Sequence, residues 1–172
     1  LSVKDITTRA NINRGTFYLH YQDKYDLLEQ IETGIIQDLQ GIIQQASAVD
    51  ALDGTILNEP LPVVVEFFEY LRENAALMHA VLGLRGDIAF QTRLKHAIEA
   101  NLFNISFFAN IKEENLLVPR EYFLSYVISA HLGVIQFWLQ RGCRESPREM
   151  ALILTRLSFR GPFYASGIGL TG

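Results

Sequence analysis

The stretch Leu1–Leu28, LSVKDITTRANINRGTFYLHYQDKYDLL, decides how the rest of the chain is read. Ser2, followed by Asp5 three residues on, makes a capping box, and Val3, Ile6 and Ala10 share one face at helical spacing, which predicts a first short helix. Asn11 stands where the chain must turn, and after Gly it is the residue that best tolerates the left-handed conformation. Ile12 is expected to plug the corner from inside. Asn13 caps a second helix, Arg14–His20, on which Phe17 and Tyr21 lie one turn apart and face a core, leaving Gly15 and Leu19 on the opposite side. A Gly in a helix costs ~1 kcal/mol relative to Ala, and close approach of the backbone to another surface is a reason to carry one. Two short helices, a three-residue turn and the start of a long third helix make a helix-turn-helix.

Side-chain chemistry points the same way. The second helix of such a motif enters the major groove, and Arg14 stands at its reading end. A guanidinium bonds guanine O6 and N7 together, worth ~1–3 kcal/mol of discrimination, while Leu19 can touch a thymine methyl. Thr16, Tyr18 and His20 flank that face and can bond phosphates, as can Lys24 at the start of the next helix, behind the cap Asp23.

Asp5-Ile6, Ala10, the run Ile12-Asn13-Arg14-Gly15-Thr16-Phe17-Tyr18-Leu19-His20-Tyr21 and Asp23-Lys24 resemble the DNA-binding signature of the TetR/AcrR family of bacterial transcriptional regulators. The resemblance implies an all-α homodimer with a three-helix DNA-binding domain and a larger C-terminal helical domain for ligand binding and dimerisation. It also implies that Arg14, Gly15, Thr16, Tyr18, His20 and Lys24 touch DNA. Family members usually carry Gly where this chain has Asn11. The family's first helix normally precedes the segment at Leu1, so the chain is expected to lack that helix and, in this form, to bind DNA poorly.

Charge makes no general basic patch. Leu1–Thr33 holds four basic residues (Lys4, Arg9, Arg14, Lys24) against five acidic ones (Asp5, Asp23, Asp26, Glu29, Glu32), within a chain of net charge −4. Phosphate neutralisation therefore rests on cations gathered around Arg14–His20. Across the 172 residues, 49% are apolar, enough for one helical body and a small appended domain. The apolar runs are shorter than the ~20 residues of a spanning helix, no signal peptide is visible, and the single Cys143 excludes an intrachain disulfide. These features fit a reducing cytoplasm.

Beyond the motif, Lys24–Gln45 reads as one long amphipathic helix through Leu27, Leu28, Ile31, Ile35, Leu39, Ile42 and Ile43. The polar Ser47–Glu59 reads as a loop, so the DNA-binding part is assigned to 1–46 and the ligand-binding and dimerisation part to 47–172. Pro60 and Pro62 open a helix expected to run to Gly83 and to be buried all round. Asp87 caps Ile88–Ala109, Pro119 opens a helix ending near Gly142, and Ser146-Pro147 with Glu149 opens the last. Tyr122–Leu139 and Met150–Leu157 carry apolar residues on more than one face, which predicts a twofold four-helix interface with a second copy. The segment from Trp138 to Ala151 resembles C-terminal regions of some TetR-like regulators.

A pocket for a small-molecule effector is expected inside the second part, lined by Phe67, Tyr70, Phe90, Phe103, Phe107, Tyr126, Phe137 and Trp138, with Arg93, His96 and also His79, His131 or Gln136 as polar contacts. No metal site is expected, because the histidines lack the close spacing of a helical pair. No cofactor is implied, and no HExxH, CxxC, Walker loop or nucleophile elbow is present, so no enzyme activity is assigned. The terminal Gly167–Gly172 matches GxGxxG by letters but has no βαβ context. Cys143 lies beside Arg141 and Arg144, which would lower its thiol pKa. The reading is a ligand-responsive transcriptional regulator, a repressor on a palindromic operator as a homodimer. The alternative is a helical ligand-binding or interaction module that does not recognise DNA.

Overall fold

The computed structural model describes residues 1–44, 59–83, 86–102, 114 and 116–166. Among them there are eight α-helices and no strand: α1 (Val3–Ala10), α2 (Arg14–His20), α3 (Lys24–Gln44), α4 (Pro62–Glu73), α5 (Ala75–Leu82), α6 (Ile88–Leu102), α7 (Arg120–Gln140) and α8 (Pro147–Ala165). The chain divides into two compact units, Leu1–Asp38 and Leu39–Gly172, with the division falling inside α3. The expected loop Ser47–Glu59 lies outside the described residues except for its last residue, as does Ile88–Ala109 beyond Leu102.

Local capping sets most helix starts. Asp87 Oδ1 accepts from the amides of Ala89 and Phe90 (2.7 and 3.2 Å) and so opens α6. Ser146 and Glu149 form a reciprocal capping box ahead of α8, with Pro147 as its first residue. Pro119 precedes α7 with extended ψ rather than forming its first turn.

The helix expected from Pro60 to Gly83 is two helices. Asn74 sits between α4 and α5 with φ −102° and ψ 22°, and both its amide N–H and its side-chain Nδ2 donate to Tyr70 C=O. A carboxamide that competes for the i−4 carbonyl in this way gives the chain an alternative to continuing the helix. Nor is α4 buried all round: Phe68 and Leu71 are its buried residues, while Glu66, Glu69 and Glu73 are exposed.

The core of the second unit is built where α4 packs on α8, α5 on α7 and α6 on α7. Phe68 and Trp138, both fully buried, meet edge to face with centroids 5.3 Å apart. Leu71, Met78, Leu82, Phe90, Met150 and Ala151 complete the interior. Trp138 Nε1 donates to Glu145 C=O, so the buried indole is satisfied across the turn that follows α7. That turn uses Gly142 (φ 74°) and Cys143 (φ 52°) in the left-handed region, with the Cys143 amide donating back to Trp138 C=O. α8 is interrupted at Gly161, whose φ of 75° and ψ of 169° break the helix before Pro162.

Candidate nucleic-acid interface

The first unit is held together by short-range bonds. Ser2 Oγ accepts from the Asp5 amide at 3.2 Å and Asp5 Oδ2 accepts from the Ser2 amide at 2.8 Å, so the predicted capping box is formed. The Ser2 amide and then the Ser2 hydroxyl, both donating to Oδ2, hold the Asp5 carboxyl below its ordinary range. Asn11 ends α1 in the left-handed conformation (φ 53°, ψ 42°), and Asn13 Oδ1 accepts from the Gly15 amide at 2.9 Å to open α2. Phe17 is fully buried, with Tyr18 edge-on at 5.4 Å and Tyr21 at 5.3 Å. Ile12 does not plug the corner: it is 42% exposed, while its backbone N–H donates to Thr7 C=O and closes the turn after α1.

Burying Phe17 fixes the orientation of every other residue on α2. At 100° per residue, Gly15 and Leu19 fall within about 20° of the pole opposite Phe17. Leu19 is 81% exposed. Arg14 and Tyr18 lie to one side of the pole and Thr16 and His20 to the other, all exposed. Arg14 Nη2 lies 3.5 Å from Tyr18 Oη, with the guanidinium carbon 6.0 Å from the ring centre, so the arginine rests along the tyrosine. A Cβ on Gly15 would meet only Asn13 Oδ1, at 3.6 Å, which is ordinary contact. Among the described residues nothing therefore requires glycine there.

The turn into α3 is pinned by two carboxylates. Asp23 Oδ1 accepts from the amides of Tyr25 and Asp26, and Asp26 Oδ2 accepts from the Gln22 amide at 2.7 Å while its Oδ1 accepts from Gln30 Nε2 at 3.0 Å. The Gln22 bond, then the Gln30 bond, hold the Asp26 carboxyl below its ordinary range. Three of the acids that offset the basic residues in composition are thus engaged with backbone donors. Lys24 Nζ donates to Leu1 C=O at 3.2 Å and sits 4.9 Å over the Tyr25 ring. Sequence reasoning passed over Tyr25, an exposed aromatic beside that ammonium; only its exposure distinguishes it from a core tyrosine.

The residues expected to line an effector pocket differ widely in burial among the described residues. Phe90 and Trp138 are core, and Phe67 and Tyr70 are half-buried. Tyr126 and Phe137 turn outward, 61% and 60% exposed, with the Arg141 guanidinium 5.5 Å over the Phe137 ring. Arg93 and His96 are exposed, and His96 Nδ1 meets Glu99 Oε2 at 3.2 Å. His79 is exposed as well. Phe103 and Phe107 lie outside the described residues.

Two polar residues do enter the helical body. Gln136 Nε2 donates to Leu82 C=O at 2.8 Å, and His131 bridges Val127 C=O and Ser158 Oγ, with burial holding its imidazole pKa below the ordinary value. The Cys143 thiol is pushed up rather than down: burial dominates, opposed by Arg72 of α4 rather than helped by Arg141 or Arg144. No cluster of three or more His, Cys, Asp or Glu capable of holding a metal occurs among the described residues. Of the described helices, α7 alone is long and apolar enough to cross a membrane by length and composition, although its single apolar runs are short.

Helices and no strand among the described residues, with a capped helix-turn-helix whose exposed second helix bears a glycine, place the chain in the helix-turn-helix class. Residues 1–31 match the family described as bacterial regulatory proteins, tetR family, and residues 58–160 match the TetR-type transcriptional regulator C-terminal region. The chain belongs to the TetR family of transcriptional regulators. It is similar to an uncharacterized HTH-type transcriptional regulator, YxbF, of Bacillus subtilis (strain 168), with 21% identity over 166 residues, 95% of this chain and 41% of that protein. The chain thus spans about two-fifths of the length of that relative. No solved structure matches.

Proposed function

We propose that the protein is a cytoplasmic, ligand-responsive repressor that binds a palindromic operator as a homodimer through Arg14, Gly15, Thr16, Tyr18, Leu19, His20 and Lys24, and is released by a small-molecule effector. The observation that carries the DNA-reading role is the outward pole of α2, where a glycine the chain itself does not need adjoins a leucine left in water. A helix pays for Gly in stability, and a duplex seated against that side supplies the compensation. Residues 1–46 would act in DNA binding and 47–172 in ligand binding and dimerisation.

Dimerisation draws support from α7. Between Glu121 and Arg141 it has no Asp, Glu, Lys or Arg, and its exposed face sets Tyr122, Tyr126 and Phe137 around the small residues Ser125, Ser129, Ala130 and Gly133. α8 adds the exposed Ile153. Such a face suits a second copy packed through close helix contact. An effector that binds one helix arrangement better than another would alter operator affinity by its differential affinity for the two, and α3, continuous from Lys24 to Gln44, is the element that would carry the difference.

Anisotropy titration of the full-length protein against its operator and a scrambled duplex tests the reading. Arg14→Ala should weaken operator binding by ~1–3 kcal/mol and leave scrambled binding nearly unchanged. Equal operator affinity in wild type and variant would remove Arg14 from the reading, and a wild type with no preference for operator over scrambled duplex would favour the interaction-module alternative.

A further inference from the structure

Resting on the DNA-reading role proposed above, we infer that α2 reads each half-site through one guanine and one thymine methyl, and does not discriminate adenine or cytosine by paired hydrogen bonds. The argument is one of side-chain supply. Adenine is read in the major groove by Asn or Gln bonding N6 and N7 together, and cytosine by a carboxylate accepting from N4. The helix Arg14–His20 contains no Asn, Gln, Asp or Glu. The one carboxamide adjoining it, Asn13, is committed, since its Oδ1 accepts from the Gly15 amide at 2.9 Å. A two-point grip on adenine would have to share that oxygen with the helix cap, which fixes where the carboxamide points.

What remains is specific in a different way. Arg14 is the residue of α2 with two parallel donors, and a guanidinium matches guanine O6 and N7. Its rest position along Tyr18 limits its freedom before contact. Thr16, Tyr18 and His20 offer single-point bonds that bases and phosphates satisfy alike. Leu19 is apolar, 81% exposed and at the pole, beside the glycine gap. The apolar feature that the major groove offers to it is the thymine C5 methyl. Arg14 and Leu19 are five residues apart, about 7.5 Å along the helix axis. A separation that short keeps both contacts within one half-site.

The test selects duplexes bound by the full-length protein from a random pool, then modifies the enriched site. A palindrome with an invariant guanine and an invariant thymine in each half is expected. Replacing that guanine with 7-deazaguanine, which lacks N7, should weaken binding on the order of tenfold. Replacing the thymine with uracil, which lacks the methyl, should weaken it about three- to fivefold. The uracil effect should vanish in Leu19→Ala, a change at an exposed position that leaves the fold intact. Half-sites without that guanine–thymine pair, or a uracil effect undiminished in Leu19→Ala, would overturn the inference while leaving DNA recognition standing. A pool with no enriched sequence would overturn the DNA-reading role and the inference with it.

Discussion

Gly15→Ala separates what the chain needs from what its partner needs, because the two effects have opposite signs. Gly15 is the second residue of α2, in ordinary helical conformation, and an added Cβ would find one neighbour, Asn13 Oδ1, at 3.6 Å. No clash opposes the gain in helix propensity and the loss of unfolded-chain freedom, so the variant should be more stable by about 0.5–1 kcal/mol. For a chain of this size that corresponds to a rise in melting temperature of about 1–4 °C. On DNA the same methyl would occupy the side of α2 proposed to face the groove. Forcing a methyl into a packed contact costs ~1–3 kcal/mol, or roughly 5- to 150-fold in affinity. Urea unfolding and operator titration of the same two proteins read both quantities. A variant that is destabilised would refute the packing around Gly15. One that is stabilised yet binds operator as tightly as wild type would refute the seating of the Gly15–Leu19 side on the duplex.

Other outcomes follow from the geometry. Tyr126→Arg combined with Phe137→Glu should convert a dimer to a monomer in sedimentation without loss of helicity, since both side chains are exposed in the single chain; a surviving dimer would move the interface off α7. Phe68→Ala should cost ~3–5 kcal/mol, because it removes a fully buried ring lying edge to face on Trp138, and the fluorescence of that tryptophan should report the unfolding; a cost under about 1 kcal/mol would refute this packing. Asp26 and Glu149, held below their ordinary values of 3.8 and 4.5 by bonds from Gln22 and Ser146 respectively, contribute stability that is fully present above those values. That contribution should be lost as pH falls through the lower folded values, and Asp26→Asn should flatten the acid side of the stability profile; an unchanged profile would contradict the assigned bonds.

Features legible in the sequence are those made within a few residues. The Ser2–Asp5 box, the Asn11 turn, the Asn13, Asp23 and Asp87 caps and the Ser146–Glu149 box each join groups two to four positions apart, and each forms as residue identity alone dictates. The orientation of α2 was equally readable, because one large aromatic, Phe17, is enough to set which side is inward. The lining of the second unit was not. Phe137 and Trp138 are neighbours on α7 with similar hydrophobicity, yet one is exposed and the other buried, and the choice is made by Phe68 of α4.

Cys143 shows the same division. Two arginines adjoin it in sequence, but the one that acts on its thiol is Arg72, brought from α4, and burial outweighs even that charge. Helix identity, capping and the outward pole of α2 belong to the chain order itself, since backbone bonds and 3.6-residue periodicity are local. Which apolar faces become interior and which polar groups enter the body were settled by packing. That is because burial depends on which distant surface arrives to exclude water, and no spacing along the chain encodes that directly.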